Sequence, residues 1–432
     1  MPTLARTPSL PVALFCATTL ALSACKTSTG TSERAHEHGQ TSSSITDSTN
    51  NPDTSAEIGQ VRTIHTLDWP GSWGQFLVGV GKQEALVRLE QGGKSPRLAF
   101  AMIDLGKGAL IEQWEAKPSR ASSMIAGYPG FRGMRDGFDE DLAKYSDWLV
   151  RVGPWTHREA TPPFGVHVSP TGEHIIYSQQ PEDGRDGDWL MLADANGRKV
   201  SRFDDGLRAS YNANFSPDGQ TVAWMGGSRD YAKPGKQVGY VLRIASVTGK
   251  MWDVPQIRDE IRTPFWSTDG AKVWAIGRRS RRDRCLYSAE IATRHVEALY
   301  CFDGAIDPMI SPDGKQMLLM LSPEGGGDSR EVVVLDLQEG GEINRFTLPG
   351  AKGLGRFGVW LDTQTAVFFA RADSALHIIR PSTGELLHEI DLSNEGQIRG
   401  RLGAGLFGDE LILLRQPSDS KDVQVIGVRV RE

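Results

Sequence analysis

One short motif recurs along this chain and constrains its fold more than any other feature. Val168-Ser169-Pro170-Thr171-Gly172, Phe215-Ser216-Pro217-Asp218-Gly219, Trp266-Ser267-Thr268-Asp269-Gly270 and Ile310-Ser311-Pro312-Asp313-Gly314 are near copies. Two residues after each comes an apolar run: Ile175-Ile176-Tyr177, Val222-Ala223-Trp224, Val273-Trp274-Ala275 and Met317-Leu318-Leu319. Two degenerate copies follow. Trp360-Leu361-Asp362-Thr363 leads to Ala366-Val367-Phe368-Phe369, and Phe407-Gly408-Asp409 leads to Leu411-Ile412-Leu413-Leu414. The equivalent positions, 169, 216, 267, 311, 361 and 407, are 44 to 51 residues apart. A repeat of that length is a supersecondary unit that buries its apolar face only by stacking on neighbours.

The motif is a turn with a mechanism. Proline presets φ for the second position of a type I turn, Asp or Thr suits the third, and Gly supplies the left-handed conformation that closes the hairpin. Beyond the apolar run each unit holds a polar loop and a third strand, such as Tyr240-Val241-Leu242-Arg243-Ile244. A second turn (Asn196-Gly197, Thr248-Gly249, Gly340-Gly341, Thr383-Gly384) and a fourth strand complete it. Four antiparallel strands per unit make a propeller blade. An earlier unit lacks the motif but shows strands at Gln75 to Val80, Arg97 to Asp104 and Ala109 to Trp114. The total is seven. The last unit, Ala404 to Val430, runs out after its third strand, and the extended segment Gln60 to Leu67 has nothing to pair with locally. Its expected place is the missing outer strand of the last blade, since closure removes exposed edges. The fold class expected is all-β: a seven-bladed β-propeller of four-stranded antiparallel blades, with a short helical insertion after the first blade.

Over roughly residues 164–416 these repeats resemble those of TolB-type propellers, which also occur in prolyl oligopeptidases. The resemblance implies the fold. TolB carries an α/β domain ahead of its propeller, where this chain has only a polar linker. The peptidases carry a separate hydrolase domain, and this sequence has no Gly-x-Ser-x-Gly nucleophile elbow.

The N-terminus addresses the compartment. Arg6 is the single charged side chain in 1–24, and the apolar run Leu10 to Leu22 is shorter than the ~20 residues that span a bilayer. This is the layout of a secretory signal. Leu22-Ser23-Ala24-Cys25 resembles the lipobox of bacterial lipoproteins, which implies acylation of Cys25 and cleavage just before it. The expected domains are therefore a signal peptide (1–24), a lipidated cysteine with a disordered linker (25–56) and the propeller (57–432, with the insertion at 121–163). Of the 35 residues from Lys26 to Gln60, 14 are Ser or Thr, too polar a stretch to offset the entropy of ordering. Such a coil spans about 30 Å root-mean-square. Its His36-Glu37-His38 triplet is read as solvated linker, because a metal site needs further ligands held in place. Lys26, where Asp would signal retention, leans toward the outer membrane by resemblance to lipoprotein sorting.

The net charge is −6, or about −7 once Arg6 leaves with the signal, which argues against nucleic acid as a partner. No metal or cofactor is expected. Asp183-Gly184-Arg185-Asp186-Gly187-Asp188 lacks the spacing and the downstream Glu of a calcium loop. In the insertion, Phe138, Leu142, Tyr145, Trp148 and Leu149 fall at helical spacing, with Asp136 as the expected N-cap. The helix either packs on the propeller or acts as a lid or docking element. Because strands alternate in direction, the loops between second and third strands share a face with the inter-blade connections, and the insertion is expected there too. That long-loop face is the expected recognition surface. Its candidate residues are Trp148, Trp155 and the arginines of one loop: Arg278, Arg279, Arg281, Arg282 and Arg284. Five guanidinium groups suit an anionic partner, whereas the plainer alternative is a solvated hairpin tip.

Cys285 and Cys301 lie in one unit, each eight residues from Thr293 in the intervening turn. A hairpin centred there sets them face to face, and an oxidising compartment would permit a disulfide. A slip of one residue would put the sulfurs on opposite faces. The function expected is that of a cell-envelope lipoprotein, held to the membrane by its lipid, whose monomeric propeller binds an envelope protein without catalysis. The alternatives are an enzyme acting on an envelope glycan or peptide, and a small-molecule or metal sensor.

Overall fold

The computed structural model describes residues 57–69, 74–91, 97–115, 140–153, 166–179, 189–195, 198, 201–204, 213–228, 239–258, 264–279, 283–303, 305–322, 331–348, 358–370, 374–399, 404–418 and 420–431. They form a seven-bladed propeller of antiparallel sheets. The first blade is built from Gly74–Val80, Glu84–Gln91, Arg97–Asp104 and Ala109–Glu115. Of these, Glu84–Gln91 is a strand that the sequence pattern did not single out. Burial follows from the geometry. Second and third strands are covered by neighbouring blades on both faces, so Glu84–Gln91 and Arg97–Asp104 are buried almost throughout. The fourth strand lies at the rim, and Ala109–Glu115 is exposed along nearly its whole length.

The repeated motif closes the turn between first and second strands. Ser216 Oγ accepts from Thr221 N (2.9 Å) and donates to Asp218 Oδ1, which also accepts from Gln220 N at 3.0 Å. Ser267 with Asp269 and Ser311 with Asp313 repeat the arrangement, and Gly219, Gly270 and Gly314 all take φ near +70°. The serine is thus the hub of each turn. First strands of adjacent blades are stitched by indoles: Trp266 Nε1 donates to Asn214 O (3.0 Å) and Trp360 Nε1 to Met309 O (3.2 Å).

The ring closes with the first strand of the propeller. Val61–Leu67 pairs antiparallel with Val423–Arg429 as the outer strand of the seventh blade. Arg62 reaches over its neighbour to Glu410 through two 2.6 Å hydrogen bonds. Gly427 opposes Arg62, and a Cβ on it would lie 2.7 Å from Glu410 Oε2, so the missing side chain makes room for the pair. Ile64 and Leu67 are buried with Leu77, Val87 and Ile103 of the first blade. His65 Nδ1 lies 3.0 Å from Gly108 O, in that blade's turn between third and fourth strands.

The insertion contributes a helix, Glu140–Arg151. Tyr145, Trp148, Leu149 and Val152 share one core with Phe100 and Met102 of the first blade and Val166, Ile175 and Tyr177 of the second. The ring of Tyr145 lies 4.9 Å from that of Phe100, and Trp114 meets Trp148 edge-on at 6.1 Å. Lys144 pairs with Glu112, and Arg151 with Glu84. The helix is not confined to the long-loop face, as the sequence reading expects. It is wedged between two blades and ends at the opposite, motif-turn face. There a Cβ on Gly81 would lie 2.5 Å from Arg151 O, and one on Gly172 would touch Val150. Its apolar stripe is buried along the seam rather than on top of it. Asp136 lies outside the described residues.

Candidate binding face

The long-loop face is assembled where second strands end and third strands begin. In the fourth blade Arg278 and Arg284 are directly opposed across Lys272–Arg278 and Asp283–Glu290, and Arg279 N donates to Asp283 O at 2.9 Å. The third blade adds an arginine that the sequence pattern did not point to. A Cβ on Gly277 would meet Ile257 Cα at 3.1 Å and Arg258 N at 3.2 Å. The glycine therefore lets the end of Met251–Arg258, the outer strand of the third blade, lie against the fourth. It sets the backbone of Arg258 beside the residue that precedes Arg278. Arg258 and Arg279 are exposed, while Arg278 and Arg284 are half-buried.

The stem beneath these arginines is cross-linked. Cys285, fully buried, opposes both Gly277 and Cys301, and the two cysteines are bonded at an S–S distance of 1.99 Å with Cα atoms 4.0 Å apart. The register does not come from a turn centred on Thr293. Next to the turn Ala289 faces Val296, and a bulge at Leu299 on the outer strand adds the one residue that brings Cys301 opposite Cys285.

A second polar group lies in the first blade, beside the wedged helix. Arg88 and Glu90 stand on the same side of Glu84–Gln91, pair with each other and are both buried. Burial lowers the Arg88 pKa to about 10, with Tyr145 acting the other way, and burial pushes the Tyr145 hydroxyl well above its ordinary value. The Arg88 guanidinium also lies 5.3 Å from the centre of the Phe76 ring. Opposite charges two residues apart, directly after the apolar run Ala85-Leu86-Val87, were the available sequence signal. Both side chains are enclosed in the seam, so the pair serves packing rather than an outside partner.

The other expected site residues divide. Trp148 is 3 % exposed and belongs to the seam core, so its ring is not presented to a partner. Arg281, Arg282, Trp155 and Cys25 lie outside the described residues, as do the 181–188 loop and the His36 to His38 triplet.

No family profile matches the chain, and no curated protein matches it in sequence. Solved structures do. An oligogalacturonate lyase in complex with manganese aligns with 82 % of this chain and 89 % of its own, at 10 % identity and a TM-score of 0.45. The β-propeller domain of the Trilobed protease from Pyrococcus furiosus, with an open velcro topology, aligns with 81 % and 97 %, at 12 % identity and 0.44. TolB from Acinetobacter baumannii aligns with 80 % of each chain, at 13 % identity and 0.33. At such identities the likeness is one of fold alone, and function has to be argued from this chain's own surface.

Proposed function

We propose that this protein is a noncatalytic docking module of the cell envelope, tethered through a lipidated Cys25, and that it holds an acidic protein partner on its long-loop face. The observation that supports the docking face is the convergence of Arg258, Arg278, Arg279 and Arg284 from two adjoining blades onto one disulfide-braced stem. Guanidinium groups carried on strand ends start from a fixed backbone, so pairing with carboxylates orders their side chains but not the chain that bears them. The tether is supported by the lipobox at Leu22 to Cys25.

Two measurements test this. Poly-L-glutamate titrated against the purified protein should bind in a salt-dependent way, and Arg258→Glu with Arg279→Glu should weaken binding by about tenfold or more, an effect of about 1.4 kcal/mol. Equal binding by wild type and variant would remove the face from consideration. Separately, Cys25→Ser should shift the protein from the membrane to the soluble fraction and abolish lipid labelling.

A further inference from the structure

The direction of one strand relates the tether to the docking face. In each motif-bearing blade the first strand runs from the long-loop face to the motif turn, and the second returns. In the seventh blade Gly405–Phe407 therefore leads to the motif-turn face, Glu410–Gln416 runs back to the long-loop face, and Val423–Arg429 returns to the motif-turn face. Val61–Leu67 is antiparallel to that last strand: Val61 faces Val428 and Leu67 faces Val423. Its start is fastened by Gly59 N donating to Arg429 O and Arg429 N to Gln60 O, both at 2.9 Å. The chain thus enters the propeller at the motif-turn face, on the rim of the seventh blade, whatever path the preceding residues take. The arginines of the third and fourth blades are on the other face.

We infer that the arginine face points away from the membrane that holds Cys25, toward an acidic protein on the far side of the propeller. This rests on the lipid-anchor reading given above. A tether with an expected span of about 30 Å is comparable to the strand length of about 23 Å separating the two faces, so turning the body over would draw much of it around the rim. The competing occupant of the arginine face is an anionic leaflet of the anchoring membrane, and the test separates the two.

The full lipidated chain is placed in phosphatidylcholine vesicles, with and without phosphatidylglycerol, bearing an acceptor dye on the headgroups. A donor dye is attached at Asp409→Cys on the motif-turn side or Lys421→Cys on the long-loop side, both exposed positions of the seventh blade. The Asp409 position should transfer about twofold more energy than the Lys421 position, given the ~23 Å offset between the faces. Transfer stronger from Lys421 would mean that the arginine face lies on lipid, and equal transfer would mean that the body has no preferred orientation; either overturns the inference. Failure of the anchor reading shows up differently, as wild-type protein that does not float with vesicles. A hexahistidine tag in place of the acylated cysteine, on nickel-chelating lipid, then repeats the orientation measurement without acylation.

Discussion

The two seams that flank the first blade are filled by different means. Toward the seventh blade the filler is a strand, Val61–Leu67, which satisfies its backbone on Val423–Arg429 and buries Ile64 and Leu67 against Leu77 and Ile103. Toward the second blade it is the helix Glu140–Arg151, whose backbone bonds are internal and which meets the core of the blades through Tyr145, Trp148 and Leu149. A strand can close the ring only in the register its partner dictates, whereas a helix is placed by shape and by burial of its stripe. The first seam is therefore all or nothing, and the second should yield by degrees.

The largest test of that contrast removes the strand. Deleting residues 57–68 should forfeit about 5 kcal/mol from Ile64 and Leu67 alone and lower Tm by on the order of 10 °C in a calorimetric scan. Deleting residues 26–56 should leave Tm where it was. Equal tolerance of both deletions would show that this strand does not close the ring.

A smaller effect is expected at the wedge. Trp148→Ala should cost roughly 3–5 kcal/mol, read from the urea midpoint, because a buried indole is replaced by a cavity between two blades. Lys144→Ala, which removes the partly exposed pair with Glu112, should change stability by under about 1 kcal/mol. If Trp148→Ala behaved like Lys144→Ala, the helix would be resting on the propeller rather than holding the seam.

The finest distinction is in pH dependence. At the closing seam Asp104 accepts from Lys107 N in the turn that carries Gly108, and this bond lowers its pKa below the ordinary 3.8. Its contribution is complete above that value and is lost as pH falls through the lowered one. At the wedge Tyr145, raised by burial above its ordinary 10.0, contributes stability that is complete below pH 10 and is lost as pH rises beyond it. Arg88, lowered to about 10 from its ordinary 12.5, works the opposite way. Between those values the folded protein binds fewer protons than the unfolded chain, so its term favours folding as pH rises. Asp104→Asn should flatten only the acid limb of a stability-against-pH curve, and Tyr145→Phe should alter only the alkaline limb. The reverse assignment would contradict these placements.

Much of this architecture can be read from residues alone, for a local reason. A Ser-Pro-Asp-Gly turn makes its hydrogen bonds within six residues, so Ser216 to Thr221 announces its hairpin wherever it occurs, and copies at blade-length spacing imply the ring. An unpaired strand at one end and a three-stranded unit at the other imply closure. The Cys285–Cys301 register lies at the border: the symmetric turn assumed from sequence is not the one that forms, and the bulge at Leu299 supplies the missing residue. Three features were decided by tertiary structure only. The course of the helix depends on the space between two blades, which its apolar stripe does not encode. The approach of Arg258 to Arg278 depends on Gly277 accepting the neighbouring strand's backbone. The burial of Arg88 with Glu90 depends on a helix that carries Tyr145, more than 50 residues away in the chain. The sequence determined what each segment does with its own backbone. Which side chains meet across blades was decided by packing, because those contacts join surfaces that no local pattern brings together.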